Sequence, residues 1–398
     1  MANRRAFMKS GAMAVFATGL GGIPSFIAAT ASERKIIPAY KKTKTLVCIF
    51  QRGAMDGLMA VTPYSDPNLK LLRPGLYMSP AQTEGQLFDL DGKFGLHPSL
   101  ASLSPYFTEG RMAVVHGVGS PNKTRSHFDA QDYMESGTPN SKNTPSGWLN
   151  RAIGLTGHEA TPFSAVSLTA ALPRAMQGDH DALAINNLEE FVIQMRGNPL
   201  AGNMAANSFE QLYDQTSNQL LKQSGKESFE AMKMLDLKLV NNYTPAPGAI
   251  YPNSPLGKSM KQIAMLVKMN IGMEVAFAES GGWDTHFNQG TTNGSFARNL
   301  KDFSDSIAAF WKDMAGYQDE VTVMTMTEFG RTVHQNGTGG TDGNVIIAGN
   351  LSVTGNVTYI NSNNVTTNDL TINVANNAAT AAAANGGGIG VGPAGSEY

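Results

Sequence analysis

Met273-Glu274-Val275-Ala276-Phe277-Ala278 runs into Glu279-Ser280-Gly281-Gly282-Trp283-Asp284-Thr285-His286, and this stretch decides the fold. The apolar run has the length of a strand and empties into a polar, glycine-bearing loop. Downstream, Phe296, Leu300, Phe303, Ile307, Phe310 and Met314 recur at three and four residues, which predicts an amphipathic helix ended by Gly316. Val321-Thr322-Val323-Met324-Thr325-Met326 then reads as a β-branched strand. Two strands joined by one helical crossover should lie parallel, with right-handed connectivity. Their C-terminal ends then share one edge of the sheet, which sets Asp284 and His286 beside Glu328. A carboxylate and an imidazole two residues apart at a strand end form a metal-ligand pattern.

A third strand end joins these two. Leu46-Val47-Cys48-Ile49-Phe50 is continuously apolar, as befits a strand covered on both faces, and Gln51-Arg52-Gly53-Ala54-Met55-Asp56-Gly57 follows it. Loops in that position carry ligands in open α/β sheets. Asp56 is therefore either a metal ligand or a turn aspartate before Gly57. Cys48 is the only cysteine, so no intramolecular disulfide forms, and its apolar surroundings predict a buried, inert thiol.

Between these strands, His97 to Phe107 predicts a helix, and Met112 to His116 a strand. Thr124-Arg125-Ser126-His127-Phe128-Asp129 leads into a helix running to about Glu135. Ser126 with Asp129 three residues on has the form of a helix N-cap. The same position offers free N–H groups to an oxyanion, so Ser126 is also a candidate nucleophile with Thr124 in reserve. His127 is either a ligand or a residue that orients its neighbours. Ser146 to Leu155, Phe209 to Val240 (broken at Ser224-Gly225) and Leu256 to Met269 read as further helices, whereas Thr161 to Met195 shows no motif.

Net charge is −2 and charged residues are only 16% of the chain, which leaves no electrostatic footprint for nucleic acid. Asn3-Arg4-Arg5-Ala6-Phe7-Met8-Lys9 resembles the twin-arginine export signal, and Ala29-Thr30-Ala31 has the form of a cleavage site. Residues 1–31 are thus expected to be a signal peptide rather than a permanent membrane span. The export machinery would be a partner, and the mature protein periplasmic or secreted.

Four segments carry a wider resemblance: Leu46 to Gly57, Arg125-Ser126-His127-Phe128-Asp129-Ala130-Gln131, Gly282-Trp283-Asp284-Thr285-His286, and Thr327-Glu328-Phe329-Gly330-Arg331-Thr332. Together they resemble an uncharacterised bacterial family of twin-arginine-exported proteins within the alkaline phosphatase/sulfatase-like superfamily. The resemblance implies an α/β fold, a mostly parallel central sheet flanked by helices, over residues 32–342. It implies a hydrolase of phosphate or sulfate esters acting on a small-molecule or glycan substrate. Asp56 and Glu328 then resemble ligands of one divalent metal, and Asp284 and His286 ligands of a second. Ser126 holds the nucleophile position, with Arg52, Arg125 or Arg331 to clamp the anion. Zinc, calcium, magnesium and manganese all suit such donors.

The chain departs from that family at Gly340-Thr341-Asp342-Gly343-Asn344, where members carry histidines. Beyond it, Gly-Asn recurs at Gly343, Gly349 and Gly355 between Val- and Thr-rich pieces, and Ala- and Gly-rich residues close the chain. Residues 343–398 resemble phage tail-fibre and virion repeats, a β-rich or disordered tail able to self-associate. Two other functions stay open beside the hydrolase: a non-catalytic exported binding protein on the same fold, and a fibre-like structural fusion.

Overall fold

β1 (Thr45–Gln51) lies at the heart of the protein because its neighbours hydrogen-bond to it on both edges and cover both its faces. The computed structural model describes residues 44–81, 85–153, 155, 161–188, 231, 234, 235, 240 and 242–342. The expected signal segment 1–31, the lead-in as far as residue 43, nearly all of the stretch 209–240 expected to be helical and the tail 343–398 lie outside the described residues.

β5 (Ala165–Ser167), β6 (Leu183–Ala184), β7 (Val275–Ser280) and β8 (Val321–Thr327) join β1 in the main sheet. Its five strands run in the order β6-β5-β7-β1-β8, all parallel. Cys48 sits level with Phe277 on one side and Met324 on the other. The expected strand–helix–strand unit is present with parallel strands, but β1 lies between its two strands. A crossover helix fixes direction and leaves adjacency open, and the earlier strand takes the gap.

Alternation along β1 explains its unbroken apolar run. Val47 and Ile49 pack into one core with α2 (Pro255–Lys268) and α3 (Ser295–Asp313), while Cys48 and Phe50 pack into a second core with the short helix Trp148–Ala152 and the turn Arg174–Met176. Phe296, Leu300, Phe303, Ile307 and Phe310 of α3 are all buried. Each such side chain contributes about 1.5–3 kcal/mol by leaving water. Ser254 Oγ caps α2 by accepting from Gly257 N at 3.0 Å, and Pro255 occupies its first turn. Cys48 is buried, and burial with the nearby Glu135 carboxylate pushes its thiol up to about 12, so it is inert.

One expectation needs correcting. Met112 to His116 forms no strand: Val115 is exposed, no ladder partner lies beside it among the described residues, and His116 stacks on Phe94. β-Branched residues favour a strand only where a neighbour supplies the ladder. Thr161 to Met195, which shows no motif, contains β5 and β6. A small antiparallel sheet of β2 (Val61–Thr62), β3 (Phe88–Asp89) and β4 (Gly95–Leu96) was likewise invisible, its strands being too short to show a period. Among the described residues no helix is long and apolar enough to cross a membrane.

His97 caps the 3-10 helix Pro98–Leu103. Its Nδ1 accepts from Ser99 N and its Nε2 donates to Thr291 O, both at 3.1 Å. Burial pushes its pKa down to about 4 from the ordinary 6.5. The unfolded chain takes up a proton between those values that the native state refuses, so stability falls as pH drops through that window, by about 3 kcal/mol from this group. His97→Asn keeps a capping acceptor and removes the titration. Urea unfolding at pH 7 and pH 4 should show the variant losing about 3 kcal/mol less than the parent on acidification; equal losses would refute the assignment.

Candidate functional site

Three loops meet beyond the carboxyl-terminal edge of the sheet: 52–56 after β1, 281–289 after β7 and 328–342 after β8. Their approach is close. Gly53 has φ +113°, and a Cβ there would stand 2.6 Å from Asp284 N. Glycine alone lets the β7 loop lie across the β1 loop. Trp283 N donates back to Arg52 O at 3.3 Å, and its buried indole donates to Ser280 Oγ at 3.0 Å.

Arg331 ties the three loops together. Its side chain is fully buried. Nε donates to Ala54 O at 2.8 Å, Nη1 to Thr341 O at 3.0 Å, and Nη2 to Gly53 O at 2.7 Å, Trp283 O at 3.2 Å and Asp284 Oδ1 at 2.6 Å. With its donors spent on four carbonyls and one carboxylate, and Nη1 also 3.4 Å from His286 Nε2, this guanidinium positions Asp284.

A fourth element brings in a second imidazole. α1 (His127–Ser136) begins at Ser126, whose Oγ accepts from Asp129 N at 3.3 Å as the N-cap spacing requires. Arg52 anchors α1 to the end of β1, donating to Gln131 Oε1 at 3.0 Å and Glu135 Oε1 at 2.8 Å, with Nη2 on Glu279 Oε1 at 2.7 Å. His127 is thereby held at the sheet edge, its ring tilted against Phe329 with centroids 4.8 Å apart.

One ligand atom from each of His127, Asp284 and His286 falls within 4.8 Å of the others. Asp284 Oδ1 lies 2.8 Å from His286 Nε2 and 3.4 Å from His127 Nε2. Each imidazole has a carboxylate behind it: His127 Nδ1 donates to Glu328 Oε1 at 2.8 Å, and His286 Nδ1 to Asp342 Oδ1 at 2.7 Å. Carboxylate–histidine pairs of this kind fix the ring so that Nε2 faces a cation. Counting the histidines as neutral, Asp284, Glu328 and Asp342 against Arg331 leave a charge of −2, which a divalent cation would cancel. The donor set therefore fits a divalent metal. Asp284 and His286 are about half exposed, so the centre opens to solvent.

The two supporting carboxylates differ in surroundings. Burial alone would raise Glu328, yet donors from Gln131, His127 and backbone N–H groups outweigh it and hold the carboxyl below its ordinary value. Burial would likewise raise Asp342, but His286 and Asn336 donate to it and bring it down.

Asp56 is placed apart from this cluster. Its Oδ2 accepts from Arg73 Nη1 at 2.8 Å, Gln289 Nε2 at 2.9 Å and Thr341 Oγ1 at 3.4 Å, while its buried Oδ1 finds no hydrogen-bond partner among the described residues. Arg125 is half-buried beside Ser126, and among the described residues its guanidinium has no carboxylate or hydrogen-bond partner. Burial without an anion lowers its pKa. The structure thus unites Asp284, His286, Glu328 and Arg331, adds His127, and leaves Asp56 buried against Arg73, Gln289 and Thr341 outside the cluster. Sequence reasoning missed Asp342, Asn336, Gln131, Gln289 and Arg73. For Asp342 a signal existed, an aspartate in the loop after a strand whose glutamate was already a candidate. The others are polar residues whose partners are far away in the chain.

Fold and cluster together define an open α/β protein with a candidate metal centre at the carboxyl-terminal edge of its parallel sheet. The chain belongs to the family described as "Protein of unknown function (DUF1501)", whose profile matches residues 43–348. No curated protein and no solved structure matches it.

A lysine cannot satisfy five acceptors spread over three loops. Arg331→Lys should therefore cost about 3 kcal/mol in chemical denaturation. A loss below about 1 kcal/mol would show that the loops hold together without it.

Proposed function

We propose that the protein is an exported, metal-dependent hydrolase of phosphate or sulfate esters, related to the alkaline phosphatase/sulfatase-like superfamily. The observation that carries this reading is the arrangement around Asp284, with two imidazole Nε2 atoms converging on one carboxylate and a second carboxylate behind each ring. His127, Asp284 and His286 hold the cation, and Glu328 and Asp342 orient the imidazoles. A bound divalent metal would lower the pKa of a coordinated water or hydroxyl and offset the charge of the ester. Arg125, which lies two residues before His127 and has no counter-charge among the described residues, binds an anionic oxygen of the substrate. Ser126 is the candidate nucleophile: its Oγ accepts from Asp129 N, which leaves its own proton to be given up. Asp56, whose Oδ1 has no hydrogen-bond partner among the described residues, is the remaining candidate ligand for a second cation.

Calorimetry with zinc, manganese, magnesium and calcium should detect binding to the purified protein. His127→Ala, Asp284→Ala and His286→Ala should each abolish it, and Glu328→Gln or Asp342→Asn should weaken it about 10- to 100-fold. The loaded protein should cleave p-nitrophenyl phosphate or sulfate, and Ser126→Ala should lower kcat by more than about a hundredfold with metal affinity unchanged. Absence of metal binding would end this reading.

A second reading has an observation of its own. Asp56 is neutralised by Arg73 and stands outside the cluster, so the ligand set is smaller than a two-metal hydrolase requires. A non-catalytic exported binding protein would bind metal and turn over no ester in the panel. Export itself rests on Arg4 and Arg5. Replacing both by lysine should leave the protein in the cytoplasm of a bacterial host, detected by fractionation.

A further inference from the structure

Each imidazole–carboxylate pair of the centre is closed by a carboxamide. Gln131 Nε2 donates to Glu328 Oε1 at 2.9 Å, the same oxygen that accepts from His127 Nδ1. Asn336 Nδ2 donates to Asp342 Oδ1 at 2.9 Å, the same oxygen that accepts from His286 Nδ1. The two amides come from different parts of the chain, one from α1 and one from the loop after β8.

An amide can be turned end for end, so the groups around its oxygen decide which way it points. Gln131 Oε1 faces Arg52 Nη1 at 3.0 Å, and a guanidinium only donates. Asn336 Oδ1 faces Thr338 N at 3.0 Å and Gly340 N at 2.9 Å, which are donors as well. Reversed, either amide would set N–H groups against N–H groups and its oxygen against a carboxylate. Both NH2 groups are therefore directed at the carboxylates. Gln131 lies four residues after His127, on the same face of α1, so the two side chains reach one oxygen from successive turns. Asn336 Nδ2 also donates to His286 O at 2.7 Å, which fixes the backbone of that histidine along with its carboxylate.

A neutral histidine has a single ring N–H. A carboxylate oxygen held in place beside Nδ1 draws that proton to Nδ1 and leaves the Nε2 lone pair for a cation. Nε2 is the atom turned to Asp284 Oδ1 in both rings, at 3.4 Å for His127 and 2.8 Å for His286.

We propose that Gln131 and Asn336 are positioning residues of the centre, each holding its carboxylate so that the paired histidine offers Nε2 to a cation. The proposal rests on the reading of the centre as a cation site and names the residues that prepare it. Gln131→Glu and Asn336→Asp test it. Each keeps the oxygen that meets the outer donors, and each replaces the inner NH2 by an oxygen that repels the carboxylate. A negative charge added near a cation by itself tightens binding. Loss of positioning does the opposite: calorimetry should show zinc binding weakened about tenfold or more in each variant. Gln131→Met, which adds no charge, should lose as much, with circular dichroism reporting an intact fold. Proton NMR of the zinc-loaded protein should show a slowly exchanging Nδ1–H for both histidines. The Gln131 variants should speed exchange at His127 alone, and Asn336→Asp at His286 alone.

Unchanged or tighter zinc binding in Gln131→Glu and Asn336→Asp would overturn the proposal. So would imidazole exchange that ignores the neighbouring substitution, or that changes at both histidines alike. Absence of zinc binding by the unaltered protein would end the cation-site reading and the proposal with it.

Discussion

The buried guanidinium of Arg331 is the constraint on which the rest of the site depends. Moving such a cation out of water costs several kcal/mol unless its donors are satisfied. Here they are satisfied by Gly53, Ala54, Trp283 and Thr341 carbonyls and by Asp284, so desolvation is offset only when the loops after β1, β7 and β8 are all in place. The parallel sheet brings the three loops to one edge, and Arg331 converts that proximity into a single arrangement. Gly53 makes it sterically possible, since any Cβ would strike Asp284 N.

Upon that frame the functional side chains are held by other polar groups rather than by packing. Glu328 is the hinge between frame and centre. Its Oε1 accepts from Gly53 N at 2.8 Å, from Gln131 Nε2 at 2.9 Å and from His127 Nδ1 at 2.8 Å, so one carboxylate joins the β1 loop, α1 and an imidazole. Asp342 does the same on the far side, bonding His286 and Asn336. Both carboxylates therefore do their work by pre-orienting histidines, and both are held below the ordinary carboxylate range by the donors that surround them. A centre assembled this way presents its lone pairs before any ligand arrives, which lowers the reorganisation that binding demands.

A comparable hub secures the opposite end of α3. Buried Asp313 accepts from Lys268 Nζ at 2.5 Å, Tyr243 OH at 2.7 Å, Tyr251 OH at 2.8 Å and Ala246 N at 2.7 Å, which ties the loop after position 242 to the ends of α2 and α3. The charge is desolvated, yet its partners hold the carboxyl below its ordinary value. The two long helices packed against β1 are in this way locked to each other.

What the sequence by itself determined is the part written in local patterns. The apolar runs at Leu46 to Phe50, Val275 to Ala278 and Val321 to Met326, and the three-and-four spacing of α3, were enough to specify an α/β protein with a parallel sheet and to place Asp284, His286 and Glu328 on one edge. Ser126 as a helix cap was equally legible, because the cap and its partner are three residues apart. Only the tertiary structure decided that β1 lies between β7 and β8, that Met112 to His116 pairs with nothing described, and that His127 rather than Asp56 joins the cluster. It alone showed that Arg331 spends its donors on carbonyls. The reason is physical. Periodicity and capping act over one or two turns of chain, whereas the partners of His127, Arg331 and Asp56 lie up to 285 residues away, and which of them meet is settled by how the strands pack.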